Sequence, residues 1–321
     1  MRAIQVSEQG GPEVLDYVEL PDPRPGPGQL LVDLEAAGVN FIDTYIRAGI
    51  YPQEVPYVPG AEGTGVVAEV GSGVSGFAVG DRVAWASAPG SYAERVVVAA
   101  EVAIPVPAGV EAPVAASALL QGMTAHYLCE TIYRPQPGET VLVHAGAGGV
   151  GLILTQLLAT RGIRVITTVS TDEKETLSRH AGAAEVLRYG DDLAARVRAL
   201  TGGEGVAAVY DGVGASTFDA SLDSLRVRGM LALFGAASGP VPPVDPQRLN
   251  RGGSLFLTRP TLVHYTRTRD ELLWRAGDIF DALATGGLRI RVGAEYPLAE
   301  AAQAHRDLEA RKTTGSIVLL P

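Results

Sequence analysis

The segment from Val141 to Gly151 constrains the fold of this chain more than any other. It reads VLVHAGAGGVG, an apolar, β-branched run that leads into a glycine turn. Gly146, Gly148 and Gly151 fit the G-x-G-x-x-G spacing, which allows a tight turn, close approach of backbone to a pyrophosphate, and close helix packing. The spacing predicts a helix over about Val150–Thr160, whose first N–H groups favour an anion.

The residues around these glycines distinguish a ligand site from a chance match. A chain with 39 glycines is expected to contain some matches to this spacing by chance. An apolar helix face follows the turn, and a second buried strand, Val165–Val169, follows at the distance expected of a βαβ unit. A glycine-rich loop without a ligand is the alternative interpretation, and it does not require this context. We therefore interpret the segment as the phosphate cradle of a dinucleotide-binding domain.

Length and composition indicate a globular chain of about two domains. Hydrophobic residues make up 46% of the 321 residues, and the formal net charge is -10. This acidic balance disfavours nucleic acid and anionic membranes as partners. No apolar run approaches the roughly 18 residues of a membrane span, and we expect a cytoplasmic protein. The single cysteine, Cys129, excludes an intrachain disulfide and is interpreted as a small buried apolar residue.

The sequence pattern of the chain changes near Met123. Before it, short β-prone runs lie among many Gly and Pro residues, as in Leu30–Leu34, Gly65–Val70, Arg82–Trp85 and Ala93–Val98. After it, helical patterns alternate with the apolar runs Val141–Ala145, Val165–Val169, Glu185–Arg188, Ala207–Asp211 and Leu231–Phe234. Such alternation predicts a parallel sheet with helices on both faces.

The final segment lacks this βαβ rhythm. We expect a further strand near Ser254–Leu257, a helix, and a last strand over Ile317–Leu320 that returns to the first domain. The predicted fold is therefore α/β, with a nucleotide domain inserted into a β-rich domain. The predicted boundaries are 1–122 for the first part, 123–261 for the inserted domain and 262–321 for the returning segment.

The end of the second strand of the nucleotide domain bears on which dinucleotide binds. An acidic residue there normally meets a free ribose 2'-OH, but this strand ends at Ser170 and Thr171. Asp172 is expected at the cap of the next helix, where a carboxylate has a structural role. Ser170, Lys174 and Tyr189 supply the hydroxyl and cationic donors that a 2'-phosphate needs, which favours NADPH. The alternative is that Lys174 only solvates a helix start.

Several further segments resemble those of the medium-chain dehydrogenase/reductase superfamily. They are Gly60–Gly65, Val70–Val74 followed by Gly80–Val83, and the ending Gly315–Leu319. More narrowly, Asn40–Arg47 with Gly49 and Tyr51 is similar to the quinone oxidoreductase and zeta-crystallin branch, and the similarity runs over nearly the whole chain. The resemblance implies a GroES-like β-rich catalytic domain with an inserted Rossmann doubly wound parallel-sheet domain, a cleft between them, and a homodimer formed by edge strands near Ser254–Leu257.

The resemblance also implies the site residues. For NADPH it implies Thr124, Tyr127, Gly148, Gly149, Val150, Gly151, Ser170, Lys174, Tyr189, Phe234, Arg259 and Arg311, although Arg259 and Arg311 also fit as surface cations. For the electron acceptor it implies Asn40, Asp43, Tyr45 and Tyr51. The asparagine amide and tyrosine hydroxyls are candidate polarising or proton-donating groups, Asp43 is a candidate for orienting them, and aromatic packing is the alternative for both tyrosines.

No metal is expected. Zinc relatives in the superfamily carry a cysteine and a histidine where this chain has Asn40 and Ala61, and one cysteine cannot build their four-cysteine lobe. Without a Lewis acid to stabilise an alkoxide, simple alcohols are poor substrates. The sequence therefore predicts an NADPH-dependent quinone oxidoreductase that needs no zinc. An enone or enal reductase is the alternative, and a non-catalytic nucleotide-binding structural or RNA-binding protein is a second one.

Overall fold

The computed structural model describes residues 1–321, and the chain divides into two compact units. The first unit joins Met1–Met123 to Thr266–Pro321, and the second is Thr124–Tyr265. The change from one unit to the other occurs after residues 123 and 265. The boundaries after residues 122 and 261 stay a prediction for the extent of the domains.

The first unit is built on a seven-stranded sheet. Its strands are β3 (Gln29–Val39), β4 (Glu62–Val70), β5 (Arg82–Trp85), β6 (Arg95–Ala99), β7 (Ile104–Pro105), β14 (Val292–Pro297) and β15 (Ser316–Leu320). The order is β14-β15-β3-β4-β5-β7, with β6 also paired to β3, and every pair except β14 with β15 is antiparallel. β1 (Arg2–Gln5) and β2 (Asp16–Glu19) form a separate antiparallel pair.

Alternate residues of these strands fill one core, as the two-residue period of a strand requires. Leu30 and Val32 of β3, Val98 of β6, and Ile317 and Leu319 of β15 belong to the same buried cluster. The returning segment is therefore part of the first core, as the sequence predicts. The helices of this unit are α1 (Phe41–Arg47), α2 (Ala112–Ala115), the start of α3 (Leu119–Tyr127), α9 (Arg269–Ala284) and α10 (Ala301–Glu309).

The second unit is a six-stranded parallel sheet with helices between its strands. The strands are β8 (Thr140–Val143), β9 (Arg164–Val169), β10 (Glu185–Arg188), β11 (Val206–Asp211), β12 (Leu225–Leu233) and β13 (Phe256–Thr258). The helices are α4 (Gly149–Ala159), α5 (Asp172–His180), α6 (Leu193–Leu200), α7 (Phe218–Ser224) and α8 (Pro246–Arg251). The order β10-β9-β8-β11-β12-β13 reverses between β8 and β11, and ligands of such sheets bind at that switch point.

The predicted strands of this unit are present, but β12 begins at Leu225, earlier than the predicted Leu231. The first part of β12 reads Leu-Arg-Val-Arg, and Arg228 has a φ of 59°. Because these residues are partly polar and irregular in backbone, a search for apolar runs does not detect the start of this strand. α3 continues as a π-helical segment over Leu128–Ile132, where Cys129 is buried as predicted. No helix of the chain has the length and apolar character needed to cross a membrane.

Replacing the buried Leu319 by alanine tests the role of the returning strand in the first core. Because Leu319 is fully buried in β15, we expect Leu319→Ala to lower the free energy of unfolding by about 2–5 kcal/mol. Leu273→Ala on the exposed face of α9 is the control and should change it by less than about 0.5 kcal/mol. Urea unfolding followed by circular dichroism measures both, and equal small effects would contradict the assignment of β15 to the core.

Candidate active site

The glycine turn lies between β8 and α4, at the switch point of the parallel sheet. Ala145 begins the turn with a φ of 52°, and Gly148 is the N-cap of α4. The N–H groups of the first helical turn have no partners within the helix, and the helix dipole adds positive potential at this end. The turn therefore has the geometry of an anion site, as the spacing of its glycines predicts.

The three glycines of the turn differ in what surrounds them. A Cβ on Gly146 would lie 2.6 Å from Thr167 Cβ, and one on Gly151 would lie 2.3 Å from the carbonyl oxygen of Ala145. These two positions allow no side chain because protein atoms pack against them. A Cβ on Gly148 would meet only Ala145 O, at 3.3 Å, so this glycine faces open space. A pyrophosphate fits there, and the cradle therefore suits a dinucleotide.

Ser170 and Tyr189 follow directly after paired residues of neighbouring strands. Arg188 of β10 is the register partner of Val169 of β9, so the next residues emerge at the same sheet edge. The N–H of Ala145 donates to Tyr189 Oη at 3.0 Å, which links this edge to the glycine turn. The predicted donors therefore surround the start of α5, where Lys174 lies in the first turn.

The expected cap of α5 was wrong by one residue. Thr171 is the N-cap and its Oγ1 accepts the N–H of Lys174 at 3.3 Å, while Asp172 is the first helical residue. Asp172 Oδ1 instead accepts from Arg188 Nη2 at 2.5 Å. Its carboxylate charge is therefore paired with a cation, a contact that strand spacing alone does not reveal.

The other implied cofactor residues lie at or near the ends of elements, except Thr124, which lies within α3. Phe234 follows β12 and packs on Gly212, where a Cβ would lie 2.9 Å from the phenylalanine ring. Tyr127 of α3 stacks on Tyr265 with ring centroids 4.5 Å apart. Thr124 is buried one turn before Tyr127, Arg259 follows β13, and Arg311 follows α10 with a φ of 56°. Arg311 belongs to the first unit and the others to the second.

The implied acceptor residues all belong to the first unit and cluster around α1. Asn40 is its N-cap, and the N–H of Asn40 donates to Asp43 Oδ2 at 2.8 Å. This reciprocal cap explains why an Asn and an Asp stand three residues apart. Tyr45 and Tyr51 meet edge to face with centroids 5.9 Å apart, and 39% of Tyr51 is exposed. Both tyrosines therefore pack as aromatic residues, while their chemical roles stay predictions.

Glu62 connects the acceptor residues to the rest of the first unit. Its Oε2 accepts from Asn40 Nδ2 at 2.8 Å, and its Oε1 accepts the N–H of Leu120 at 2.8 Å. Gln121 Nε2 donates to Asn40 Oδ1 at 3.1 Å, and Ser316 Oγ donates to Gln121 Oε1 at 2.8 Å. The amide of Asn40 is thus held on both sides, which fixes its orientation.

Burial shifts the pKa values of two carboxyl groups in this cluster. Burial raises the pKa of Glu62 to about 8, against the opposing effect of the hydrogen bonds from Asn40 and Leu120. Burial likewise raises the pKa of Asp43 to about 7, against hydrogen bonds from Asn40 and Tyr92. Both carboxyl groups therefore hold a proton for part of the time near neutral pH, which exposed carboxylates do not.

Asp43 also receives a hydrogen bond from the other side. Tyr92 Oη lies 3.0 Å from Asp43 Oδ2 and 3.1 Å from His305 Nε2. His305 Nδ1 lies 2.9 Å from Arg47 Nη1, and Arg47 Nη2 donates to Glu309 Oε1 at 2.6 Å. Sequence analysis missed these residues, because no motif and no part of the family resemblance singles out Tyr92, His305 or Glu309. The spacing of buried positions in α10 (Ala301, Ala304 and His305) predicts that His305 faces inwards, but it does not predict which residue His305 contacts.

Comparison with known proteins assigns the family. The alcohol dehydrogenase GroES-like domain family matches residues 26–108, and the zinc-binding dehydrogenase family matches residues 149–275. A quinone oxidoreductase of Pseudomonas aeruginosa is 46% identical over 323 aligned residues, which cover 100% of this chain and 99% of that protein. The chain belongs to the quinone oxidoreductase branch of the medium-chain dehydrogenase/reductase superfamily. The predicted family and fold class are confirmed.

Two other members of this superfamily are informative. A 2-haloacrylate reductase from a Burkholderia species is 43% identical over 328 residues, which cover 99% of this chain and 98% of that protein. A mycobacterial protein solved as a complex with NADPH has a TM-score of 0.98 and 60% identity, with 100% of both chains covered. The similarity therefore extends over both units of this medium-chain dehydrogenase/reductase.

The residues of the first unit do not fit the zinc ion named in one of the matched families. The family resemblance implies that Asn40 and Ala61 stand where zinc relatives carry a cysteine and a histidine. The single cysteine, Cys129, is buried in the second unit. No group of three or more His, Cys, Asp or Glu side chains is placed to hold a metal ion. Polar contacts around Asn40 are made instead by neutral amides, hydroxyls and buried carboxyl groups.

The raised pKa of Glu62 predicts how stability depends on pH. A carboxyl whose folded pKa is above its unfolded value stabilises the fold most at low pH, and this contribution is lost as pH rises through the folded pKa. Between about pH 4.5 and pH 8, we therefore expect wild-type unfolding free energy to fall by up to about 1.4 kcal/mol per pH unit from this group.

Glu62→Gln should remove that part of the slope, because the amide does not titrate. Glu69→Gln, on the exposed end of the same strand, is the control and should leave the slope as in the wild type. Urea unfolding at several pH values between 5 and 8 measures the slopes. If the unfolding free energy of Glu62→Gln fell with pH as steeply as that of the wild type, Glu62 would not titrate in the folded state.

Proposed function

We propose that this chain is an NADPH-dependent quinone oxidoreductase that works without a metal ion. The observation that carries the proposal is a complete dinucleotide cradle in a chain whose whole length aligns with a quinone oxidoreductase. The relative solved with NADPH, with 60% identity, supports the choice of cofactor. The proposal fits the geometry better than a dehydrogenase of simple alcohols, whose alkoxide needs a Lewis acid.

The second unit would hold the cofactor. Backbone N–H groups of Gly149, Val150 and Gly151, together with the open face of Gly148, would receive the pyrophosphate. Ser170, Lys174 and Tyr189 would receive the 2'-phosphate through hydroxyl and ammonium donors. Thr124, Tyr127, Phe234, Arg259 and Arg311 remain the other cofactor residues that the family resemblance implies. When bound, NADPH supplies a hydride to an electron-poor acceptor.

The first unit would hold the acceptor. A quinone spreads the charge of an added hydride over its own conjugated system, and the negative charge collects on oxygen. Donors that are already oriented towards such an oxygen stabilise it by about 2.7 to 4 kcal/mol each. Asn40, Tyr45 and Tyr51 are the proposed donors, and the hydrogen bonds on both sides of the Asn40 amide keep it oriented. Asp43 is part of the cap of α1, which begins after Asn40 and contains Tyr45, while Tyr51 follows the helix.

A reductase of conjugated double bonds is the second candidate. It is favoured by the 43% identity to a 2-haloacrylate reductase, because a haloacrylate is a conjugated alkene rather than a quinone. A non-catalytic or RNA-binding role is disfavoured by the net charge of -10, since phosphate contacts need clustered cations. We also propose a cytoplasmic homodimer that pairs through β13, which lies at the edge of the parallel sheet.

A substrate panel tests the proposed activity. NADPH oxidation is followed at 340 nm with 1,2- and 1,4-quinones, alkenals and 2-haloacrylate, with the protein before and after dialysis against a chelator. We expect turnover of quinones that the chelator does not reduce. Turnover of an alkenal or haloacrylate without any quinone would favour the second candidate, and loss of activity on dialysis would contradict the metal-free proposal.

Lys174→Ala tests the proposed 2'-phosphate site. A hydrogen bond to a charged group is worth about 1.5 to 3 kcal/mol, so the variant should bind NADPH roughly tenfold to a hundredfold more weakly while its affinity for NADH is nearly unchanged. Lys312→Ala, which loses the same charge in an ion pair with Asp307, is the matched control and should bind both as the wild type does. Calorimetric titration gives the four dissociation constants, and equal losses for both nucleotides in Lys174→Ala would exclude the 2'-phosphate contact.

A further inference from the structure

We propose that Arg47, His305 and Tyr92 form a one-directional hydrogen-bond chain that positions Asp43 and leaves Oδ1 as the oxygen that carries its proton. Tyr92 and His305 are then positioning residues for the reduction, although neither belongs to the acceptor residues that the family resemblance implies. The inference rests on the proposed function for its catalytic consequence, while its structural part is independent of turnover.

The direction of the chain follows from Arg47. A guanidinium only donates, and Arg47 is 2% exposed, with its Nε donating to the carbonyl of Gly10 and its Nη2 to Glu309. In the contact between Arg47 Nη1 and His305 Nδ1, the histidine nitrogen must therefore accept. Burial, with the nearby charge of Arg47, lowers the pKa of His305 to about 3, so the ring is neutral.

A neutral imidazole that accepts at Nδ1 carries its hydrogen on Nε2. His305 Nε2 therefore donates to Tyr92 Oη, and the two rings meet edge to face with centroids 5.8 Å apart. The hydroxyl hydrogen of Tyr92 is then left to point at Asp43 Oδ2, which lies 3.0 Å away. Burial raises the pKa of Tyr92 well above its ordinary value, so this hydrogen is retained at every relevant pH.

Two donors therefore meet the same oxygen of Asp43. Oδ2 accepts from Tyr92 Oη and from the N–H of Asn40, so a hydrogen on Oδ2 would face two other hydrogens. When Asp43 is protonated, its proton must lie on Oδ1. The ring of Tyr92 packs closely against Gly60. Gly60 has a φ of 89°, and a Cβ there would lie 2.3 Å from that ring.

A proton held on Asp43 Oδ1 is suited to the proposed reaction. Reduction of a quinone to a hydroquinone takes up one hydride and one proton: the hydride brings the electron pair, and an O–H bond forms at the oxygen that gains charge. In the proposed step that proton leaves Asp43 Oδ1, the carboxylate remains, and water restores the proton after each turnover. An acid that is partly protonated near neutral pH is well matched to this task.

Other ionisable groups also face Asp43 and must be separated from Tyr92 in any test. Tyr57 and Glu62 interact with the charge of Asp43, and His305 and Arg47 are connected to it through Tyr92. Tyr57 supplies a matched control, because burial and then the charge of Asp43 raise the pKa of its phenol, while its buried hydroxyl has no hydrogen-bond partner. Tyr57→Phe thus removes a phenol hydroxyl near Asp43 without removing a bond to it.

The direct test is a titration of the Asp43 carboxyl. The protein is labelled with ¹³C at aspartate Cγ, the Asp43 signal is assigned with Asp43→Asn, and its shift is followed from pH 5 to pH 9. We expect a midpoint near neutral pH in the wild type and in Tyr57→Phe. In Tyr92→Phe the midpoint should rise by about one pH unit, because the charged carboxylate loses one donor. The same midpoint in all three proteins would overturn the chain, provided that their thermal midpoints show them folded.

The catalytic test uses the pH profile of kcat with NADPH and a quinone. If Asp43 supplies the proton, activity falls as pH rises through its pKa, and Tyr92→Phe should move this alkaline limb to higher pH by the same amount as the titration. Tyr57→Phe should leave the limb in place. In an Asp43→Asn background, adding Tyr92→Phe should change kcat by less than about twofold, since Tyr92 acts through Asp43.

Two results would overturn the catalytic part: an alkaline limb that Tyr92→Phe does not move, or an equal effect of Tyr92→Phe with and without Asp43. Failure of the proposed function itself is distinguishable. In that case the wild-type protein turns over no quinone at any pH, while the carboxyl titration still reports whether the chain acts on Asp43.

Discussion

The first unit depends on one buried carboxyl group that links three elements. Glu62 begins β4, and its two oxygens accept from Asn40, which starts α1, and from Leu120, at the start of α3. A carboxyl without these donors would be costly at zero exposure, whereas with them it fixes the relative position of three segment ends. Two of the residues proposed to meet the acceptor, Asn40 and Tyr45, lie on one of those segments. Their geometry therefore depends on a buried carboxyl group that is not itself among the proposed acceptor residues.

The two proposed sites are built by different physical means. The cradle of the second unit is made mainly of backbone: a strained Ala145, three glycines and a helix start. Such a site depends on shape and tolerates few side chains. The acceptor residues of the first unit depend instead on buried polar groups that hold each other through hydrogen bonds, so their chemistry follows from protonation states and from the direction of each donor.

Features that follow from short stretches of sequence were predicted correctly. The glycine turn, the order of strands after Met123 and the return of Ile317–Leu320 to the first sheet all follow from periodicity and turn chemistry, and the structure has them. The cap of α5 and the start of β12 were wrong, because neighbouring polar residues offer nearly equal choices. The partners of Asp43 were not predictable at all. Tyr92 and His305 lie 49 and 262 residues further along the chain, and only the tertiary fold brings them together.

The position of β15 has a consequence for the order in which the chain is made. Residues Ala37–Val39 of β3 pair with β15 at Leu319–Ile317 on one side, while Ala37 and Gly38 pair with β4 on the other. The β15 side of β3 therefore has no partner strand until nearly three hundred further residues have left the ribosome. The second unit is contiguous in sequence and has all its strands by Tyr265, so it is able to fold while the first sheet still has an open edge. Vectorial synthesis therefore leaves this edge exposed longest, and the nascent chain is most vulnerable to aggregation there.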